Sequence, residues 1–277
     1  MKDWYQDHEL YHKIGYLITC EYTTINKLYM TAQNIKKSEF RKELNRQIKK
    51  SMEISRNYAE LSYNIKSQYE SLKRLLLLFN IETVRKLEEH SQRLPFYKFK
   101  LHEKDKKWSL EHIHAQESQG LRKESEWREW IELHLNSLKK LSNNPHINSI
   151  IEKMEELKKL KRITKDEFDI IYNGVTEILS PKNSEYIHSI GNLALLNTSD
   201  NAALSNSTFD VKRNEIIKMD KEGKYIPRCT RMVFLKYYTE SENHNIHLWN
   251  YEDRKAYITE INRVVGEYLT EPIAIER

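Results

Sequence analysis

The sequence predicts a mostly α-helical fold with one small β-hairpin. Its 277 residues include only 6 glycines and 5 prolines, whereas β-sandwiches and propellers need many more turn residues. Hydrophobic residues make up 39% of the chain and charged residues 31%, which is enough apolar material for the core of one or two domains. Apolar residues also recur at helical spacing along most of the chain.

Residues 1–93 are predicted to form a helical domain that serves in linkage or assembly. Leu10, Ile14 and Leu17 repeat at helical spacing, and a longer series recurs with a mean step of about 3.6 residues. The longer series predicts one long helix of an antiparallel bundle, and the alternative is a coiled-coil dimer. Its members are Phe40, Leu44, Ile48, Ile54, Tyr58, Leu61 and Ile65.

Positive charge is concentrated in the first part of the chain. Residues 1–107 carry 22 Lys and Arg against 14 Asp and Glu, and residues 108–277 carry 24 against 27. Lys42, Arg46 and Lys50 fall at i, i+4 and i+8 and form one stripe along the predicted helix. The stripe suits a ridge that contacts nucleic-acid phosphates, and the alternative is an ordinary solvated helix face.

The pattern changes between residues 90 and 95, and we place a domain boundary there. Residues 94–277 then form a second domain. Within it, residues 96–101 alternate as a β-strand does, and residues 108–113 predict a second short strand.

Residues 121–180 return to helical spacing and are predicted to be a helical insertion in the second domain. Thr164 and Glu167 form a capping box at the start of one of its helices. Further elements follow the insertion: a turn into a buried strand at 190–196, a helix at 209–219, and a last helix at 251–268 that Asn250 caps.

The sequence lacks the signals of several protein classes. It has no run of about 18 apolar residues to span a membrane and no apolar signal peptide at its start. Cys20 and Cys229 form no CxxC pair, so neither a disulfide scaffold nor a cysteine-zinc site is expected. The GxxxxGKS/T, GxGxxG and GxSxG motifs are absent. We therefore expect a cytoplasmic protein with no membrane partner.

Glu111 and His112 are the first residues that suggest chemistry. A carboxylate offers the oxygen ligand that Mg²⁺ prefers, and a histidine offers a base with a pKa of about 6.5. A metal and a base together suffice for metal-assisted hydrolysis of a phosphodiester. Neighbours on an ideal strand point to opposite faces, so joint use needs the strand to end or bend there. The alternative is a pair of surface residues on a hairpin.

Together with a second segment, residues 190–213, the Glu111-His112 pair resembles the HNH, or ββα-metal, nuclease domain. The closest likeness is to the C-terminal domain of GmrSD-type restriction endonucleases and related phage-defence proteins, and it extends over roughly residues 95–270. The matching residues are Glu111, His112, Ile113, Gln116, Ile190, Gly191, Asn192, Leu193, Leu195, Leu196, Asn201, Ser205, Asn206, Phe209, Lys212, and the runs 226–230 and 234–238.

The N-terminal stretch resembles the helical part of the larger family proteins. In those proteins it follows a ParB-like NTP-hydrolysing domain, whose Asp-Gly-Gln-Gln-Arg motif does not occur in this sequence. The resemblance therefore implies a C-terminal portion of such a protein or a separately encoded nuclease subunit. It also implies that a ParB-like NTPase domain or subunit is a partner.

The resemblance implies a role for each matching residue. His112 would be the general base and Asn192 the asparagine that braces the hairpin and the base. Glu111 and Asn201 would be the ligands of Mg²⁺ or Mn²⁺. Lys212 and Arg213 would contact phosphate. His114 and Asn206 are possible accessory ligands; the alternative for His114 is a packed histidine, and the alternative for Asn206 is a helix cap.

The leading hypothesis is a metal-dependent DNA endonuclease that acts in restriction or antiphage defence. The alternative is a non-catalytic nucleic-acid-binding or assembly subunit that uses the basic stripe and partners a ParB-like NTPase component. A third hypothesis is a purely helical scaffold that docks such a partner. A homo-oligomer is compatible with each of them.

Overall fold

The structure is a computed structural model that describes residues 2–87, 92–99, 107–114, 121–139, 145–179, 186–204, 207–239 and 247–270. These ranges are mostly helical and contain one two-stranded antiparallel sheet. The predicted fold class, mostly α with a small β-hairpin, is therefore confirmed.

The N-terminal helices pack through apolar stripes. On the fourth helix, Phe40, Leu44 and Ile48 are buried, whereas Lys42 and Lys50 are exposed on the same helix. The basic stripe therefore lies on the solvent side of an amphipathic helix, as the helical period requires. The helices of this region are α1 (Lys2–Gln6), α2 (His8–Thr19), α3 (Ile25–Gln33), α4 (Lys37–Ser51) and α5 (Lys66–Arg85).

The prediction of one long helix from residue 40 to residue 65 is wrong. Helix α4 ends at Ser51, and Glu53 has a φ of 55°, in the left-handed region that interrupts a helix. The carbonyl of Ser51, freed where the helix ends, accepts a hydrogen bond of 2.7 Å from Arg74 Nη1. Tyr58 and Leu61 are buried all the same, in a 3₁₀ turn and the residue that follows it. The apolar spacing thus reports burial and not an unbroken helix.

The strand predicted at residues 96–101 is also wrong. Residues Phe96–Phe99 form a 3₁₀ turn, in which the backbone N–H of Lys98 donates to the carbonyl of Pro95 at 2.9 Å. Proline suits the first position of such a turn because its φ is already fixed. Phe99 is buried against Gly15 of α2. Residues 100 and 101 lie outside the described part of the chain.

The predicted second strand exists, with a distant partner. Strand β1 (Trp108–His112) pairs antiparallel with β2 (Leu193–Asn197), in a register that sets His112 opposite Leu193. All of β2 is buried. The sheet rests on α5, because Tyr69 Oη accepts a hydrogen bond of 3.1 Å from the backbone N–H of Leu110. Among the described residues, three α-helices lie between β1 and β2 along the chain, and further helices follow β2 directly.

The remaining helices divide between two hydrophobic clusters. One cluster joins α2, α4, α5, both strands and the C-terminal helices, and the other lies within α6, α7 and α8. The division of the chain at residue 93 stays a prediction. These helices are α6 (Glu124–Lys139), α7 (Pro145–Lys159), α8 (Lys165–Leu179), α9 (Thr198–Leu204), α10 (Phe209–Lys221), α11 (Arg228–Phe234) and α12 (Tyr251–Val265).

Two predicted helix caps are present. The backbone N–H groups of Thr164 and Glu167 bond to each other's side chains at 2.8 and 3.3 Å at the start of α8. Asn250 and Asp253 form the same reciprocal pair at the start of α12. Among the described helices, none combines the length and the hydropathy that crossing a membrane requires.

Candidate active site

The end of β1 and the turn before β2 bring three of the predicted residues together. Glu111 and His112 are the last residues of β1, and Asn192 is the residue immediately before β2. The backbone N–H of Ile113 donates to the carbonyl of Asn192 at 2.8 Å. The antiparallel pairing therefore continues past the strand end and sets Asn192 beside the residues that follow His112.

Asn192 braces this junction with its side chain. Its Oδ1 accepts a hydrogen bond of 3.0 Å from the backbone N–H of His114, and its Nδ2 donates to the carbonyls of His114 and Ile187, both at 2.9 Å. The side chain is buried, so losing these bonds would leave backbone groups unsatisfied. The amide thus ties the exit of β1 to the entry of β2.

His112 lies in a small cluster of rings. Its Nε2 is 3.2 Å from Nδ1 of His188, and its ring centroid is 4.4 Å from that of Tyr63. The backbone N–H of Tyr63 donates to the carbonyl of His188 at 2.9 Å, which joins the two segments that carry these rings. Burial, followed by the charge of Lys212 and the neighbouring His188, lowers the pKa of His112 to about 3. His112 is therefore neutral at pH 7.

Glu111 has a different partner. Lys212 Nζ, from the first turns of α10, binds the Glu111 carboxylate and donates to the carbonyl of His112 at 2.7 Å. The Lys212 side chain is only 1% exposed and that of Glu111 is 12% exposed. Burial raises the pKa of Glu111, and the ammonium of Lys212 opposes that rise. As expected for neighbours on a strand, the side chains of Glu111 and His112 contact different residues, although Lys212 also reaches the backbone carbonyl of His112.

The structure corrects the expectation for Lys212. The resemblance implies that Lys212 lies on the helix after the metal loop and contacts phosphate, but its ammonium is buried beside Glu111. Arg213, the next residue, is half-buried. Lys42, Arg46 and Lys50 are exposed on α4, although Arg46 is bonded to Glu43.

The other predicted residues have structural partners. Asn201, on α9, donates through Nδ2 to Ser109 Oγ and to the carbonyl of Leu110, both at 3.1 Å, and so fastens α9 to β1. His114 is 2% exposed, and its Nδ1 accepts a hydrogen bond of 3.3 Å from Phe209 N. Burial lowers the pKa of His114 to about 3, which is the behaviour of a packed histidine. Gln116 and Asn206 lie outside the described residues.

The described side chains do not fit a metal ion in this arrangement. The Glu111 carboxylate is engaged by Lys212, and the Asn201 amide is engaged by β1. Within the described ranges, no three His, Cys, Asp or Glu residues come together in a group that could hold a metal. Mg²⁺ binds several oxygen ligands, usually including carboxylates. Of the two predicted metal ligands, Glu111 and Asn201, only Glu111 offers a carboxylate.

Sequence reasoning did not identify one residue of this cluster. Tyr63 comes from the N-terminal segment, 49 residues before His112, and no local pattern connects the two. His188 stands two residues before the Ile190–Asn192 turn, and from the sequence that position suits either a structural cap or an accessory residue of the site.

Comparisons with known proteins place this geometry in context. Residues 164–261 match the family model of the C-terminal domain of GmrSD restriction endonucleases. The matched range contains Asn192, Asn201 and Lys212, and it begins after Glu111 and His112. A search of curated proteins and a search of solved structures each found no match. The resemblance noted from the sequence is thereby confirmed over residues 164–261, which are similar to the C-terminal domain of GmrSD restriction endonucleases.

Proposed function

We propose that this chain is an HNH-type DNA endonuclease that hydrolyses phosphodiester bonds in restriction or antiphage defence. The family match supports restriction-endonuclease activity at the coarse level. The observation that carries the finer proposal is the position of His112 at the end of β1, beside His188 and Tyr63 and followed by a segment that Asn192 braces.

In the proposed reaction His112 is the general base. If Nε2–H of His112 donates to Nδ1 of His188, then Nδ1 of His112 carries the lone pair that accepts a proton from water. The water oxygen bonds to phosphorus as the bond from phosphorus to the 3′ oxygen breaks. The 3′ oxygen leaves with the electron pair of that bond and takes up a proton from solvent, and the imidazolium of His112 then returns its proton to solvent. A pKa of about 3 makes His112 a weak base in the free protein. A bound phosphate anion raises that pKa, because an opposite charge favours the imidazolium.

The Mg²⁺ or Mn²⁺ expected from the family remains a prediction. Restriction endonucleases generally depend on a metal, but the described residues leave Glu111 bound to Lys212. The reaction is therefore assigned only to side chains of this chain, and the metal requirement is decided by the assay below.

DNA is the proposed substrate, and the stripe of Lys42, Arg46 and Lys50 is the proposed site of added phosphate contact. Exposed cations on one helix face attract the DNA backbone without reading its sequence. A ParB-like NTPase domain or subunit is the proposed partner. The second candidate function, a non-catalytic DNA-binding or assembly subunit, draws its support from the same exposed stripe.

The test uses supercoiled plasmid with the wild-type chain and the variants His112→Ala and His146→Ala. His146 lies exposed on α7 and serves as the matched control. Each protein is assayed with Mg²⁺, with Mn²⁺ and with EDTA, and loss of wild-type nicking in EDTA would establish that the reaction requires a metal. We expect nicking by the wild type and by His146→Ala and none by His112→Ala. Equal nicking by wild type and His112→Ala would refute the assignment of the base. Salt-sensitive DNA binding without nicking by any of the three proteins would favour the second candidate function.

A further inference from the structure

Two oxygen atoms at the end of β1 share one cation. The Glu111 carboxylate and the carbonyl oxygen of His112 both accept hydrogen bonds from Lys212 Nζ. A carboxylate and a carbonyl oxygen side by side are typical ligands of a divalent ion such as Mg²⁺ or Mn²⁺. In this protein the position between them is taken by the ammonium of a side chain.

Lys212 is held in this place by the fixed start of α10. The backbone N–H of Phe209 donates to His114 Nδ1 at 3.3 Å, and that of Thr208 donates to His134 Nε2 at 3.1 Å. The Phe209 ring is stacked near those of Phe234 and Trp249, with both centroid distances at 5.7 Å. The helix start is therefore packed on several sides, and the 1% exposure of Lys212 leaves its ammonium little access to other anions.

We infer that Lys212 is the resident cation of this site and competes with a divalent ion for the Glu111 carboxylate. Two cations cannot share one carboxylate oxygen at short range without strong repulsion. Glu111 is therefore closed to a divalent ion as long as Lys212 is paired with it. The inference rests on the proposed function for the identity of the site, but its test measures metal binding and not DNA cleavage.

The first measurement compares the wild-type chain with Glu111→Gln. Binding of Mn²⁺ is followed by the loss of the electron paramagnetic resonance signal of the free ion and by titration calorimetry. We expect Glu111→Gln to leave Mn²⁺ affinity unchanged, since the carboxylate is already engaged. A clear loss of affinity in Glu111→Gln would overturn the inference, because it would show that the ion reaches Glu111 in the presence of Lys212.

The second measurement removes the resident cation. Lys212→Met keeps a long apolar stem and leaves Glu111 without a partner, so we expect one new Mn²⁺ site with at least about tenfold higher affinity. The site should disappear in the double variant Lys212→Met with Glu111→Gln. Lys212→Arg, which keeps a positive charge, should gain no such site. Folding of each variant is checked by circular dichroism, and Lys212→Gln replaces Lys212→Met if the latter does not fold.

The outcomes separate this inference from the proposed function. Absence of a new Mn²⁺ site in folded Lys212→Met or Lys212→Gln would overturn the inference, whether or not the wild type nicks plasmid. A new site that depends on Glu111 would support the inference even if no variant cleaves DNA.

Discussion

Acid is expected to unfold this protein through three buried histidines, each of which accepts a hydrogen bond from a backbone N–H. An imidazole nitrogen that accepts such a bond cannot carry a proton, so each ring must be neutral in the folded state. Burial is the largest cause of a lowered pKa in all three, to about 4 for His12 and about 3 for His114 and His134. The bonds run from Leu94 N to His12 Nε2, from Phe209 N to His114 Nδ1 and from Thr208 N to His134 Nε2.

The size of the effect follows from these pKa values. The unfolded chain takes up protons on its histidines near pH 6.5, whereas the folded chain does so only near pH 3 to 4. Stability is therefore complete above pH 6.5 and is lost as the pH falls toward the folded pKa values. At pH 5 each histidine should lower the free energy of unfolding by about 2 kcal/mol, and the three together should lower it by about 6 kcal/mol. That loss is comparable with the whole free energy of unfolding of a typical domain, about 5–15 kcal/mol.

The assay is guanidinium unfolding at pH 8, 6.5 and 5, followed by circular dichroism. Most carboxylates protonate below pH 5, so this window reports mainly on histidines. His134→Gln is the test variant, because an amide oxygen can accept from Thr208 N but does not titrate. We expect the difference in unfolding free energy between pH 8 and pH 5 to shrink by about 2 kcal/mol in this variant. His146→Gln, at an exposed position, should retain the wild-type difference.

Two results would refute this reasoning. One is an unfolding free energy at pH 5 that lies within about 1 kcal/mol of the value at pH 8. The other is a His134→Gln protein that is folded and keeps the full wild-type dependence on pH. The second result would show that His134 is not held neutral by its packing against Trp130, whose ring centroid lies 3.7 Å away.

Three substitutions test the packing around the site and its supports. Gly15→Ala would place a Cβ 2.5 Å from the Phe99 ring. We expect it to lower the free energy of unfolding by about 1–3 kcal/mol in a denaturant titration. An unchanged free energy would contradict the tight contact. Asn192→Ala should lower the free energy of unfolding by roughly 3 kcal/mol in the same titration, because it removes three buried hydrogen bonds. A loss no larger than that caused by a substitution at an exposed position would argue against the bracing role. Asn250→Ala removes the cap of α12 and should lower stability by about 1 kcal/mol, seen as a lower Tm; an unchanged Tm would mean that Asp253 alone secures the helix start.

The parts of the fold that depend on neighbouring residues were predictable from the sequence. Thr164 and Asn250 mark the starts of α8 and α12 through side-chain bonds that span three residues, so a short pattern is sufficient. The partner of β1 was not predictable in this way, because pairing across the inserted helices is decided by tertiary packing. The long helix predicted through Ile65 failed for a related reason. Apolar spacing records which residues face the core, and Tyr58 faces it without belonging to a helix.

The candidate site, too, was predictable only where a local sequence pattern marks its residues. Glu111, His112 and Asn192 are predicted from their motif, and the structure shows that Asn192 bonds to the backbone of His114. The pairing of Glu111 with Lys212 joins residues 101 positions apart, and no spacing rule connects them. A lysine on a helix is usually solvated, so its burial depends on the packing that fixes α10.

The distance along the chain between β1 and β2 has a consequence for folding kinetics. Paired residues are separated by 81 to 89 positions, so this sheet cannot form as a local hairpin does within microseconds. Loop closure of this length carries an entropic cost, and early collapse of helices α6–α8 around their own core would shorten the effective loop. Halving that loop lowers the cost by only about 0.6 kcal/mol. We therefore expect strand pairing to be a slow step, and His112 to meet His188 and Tyr63 only after most of the chain has already folded.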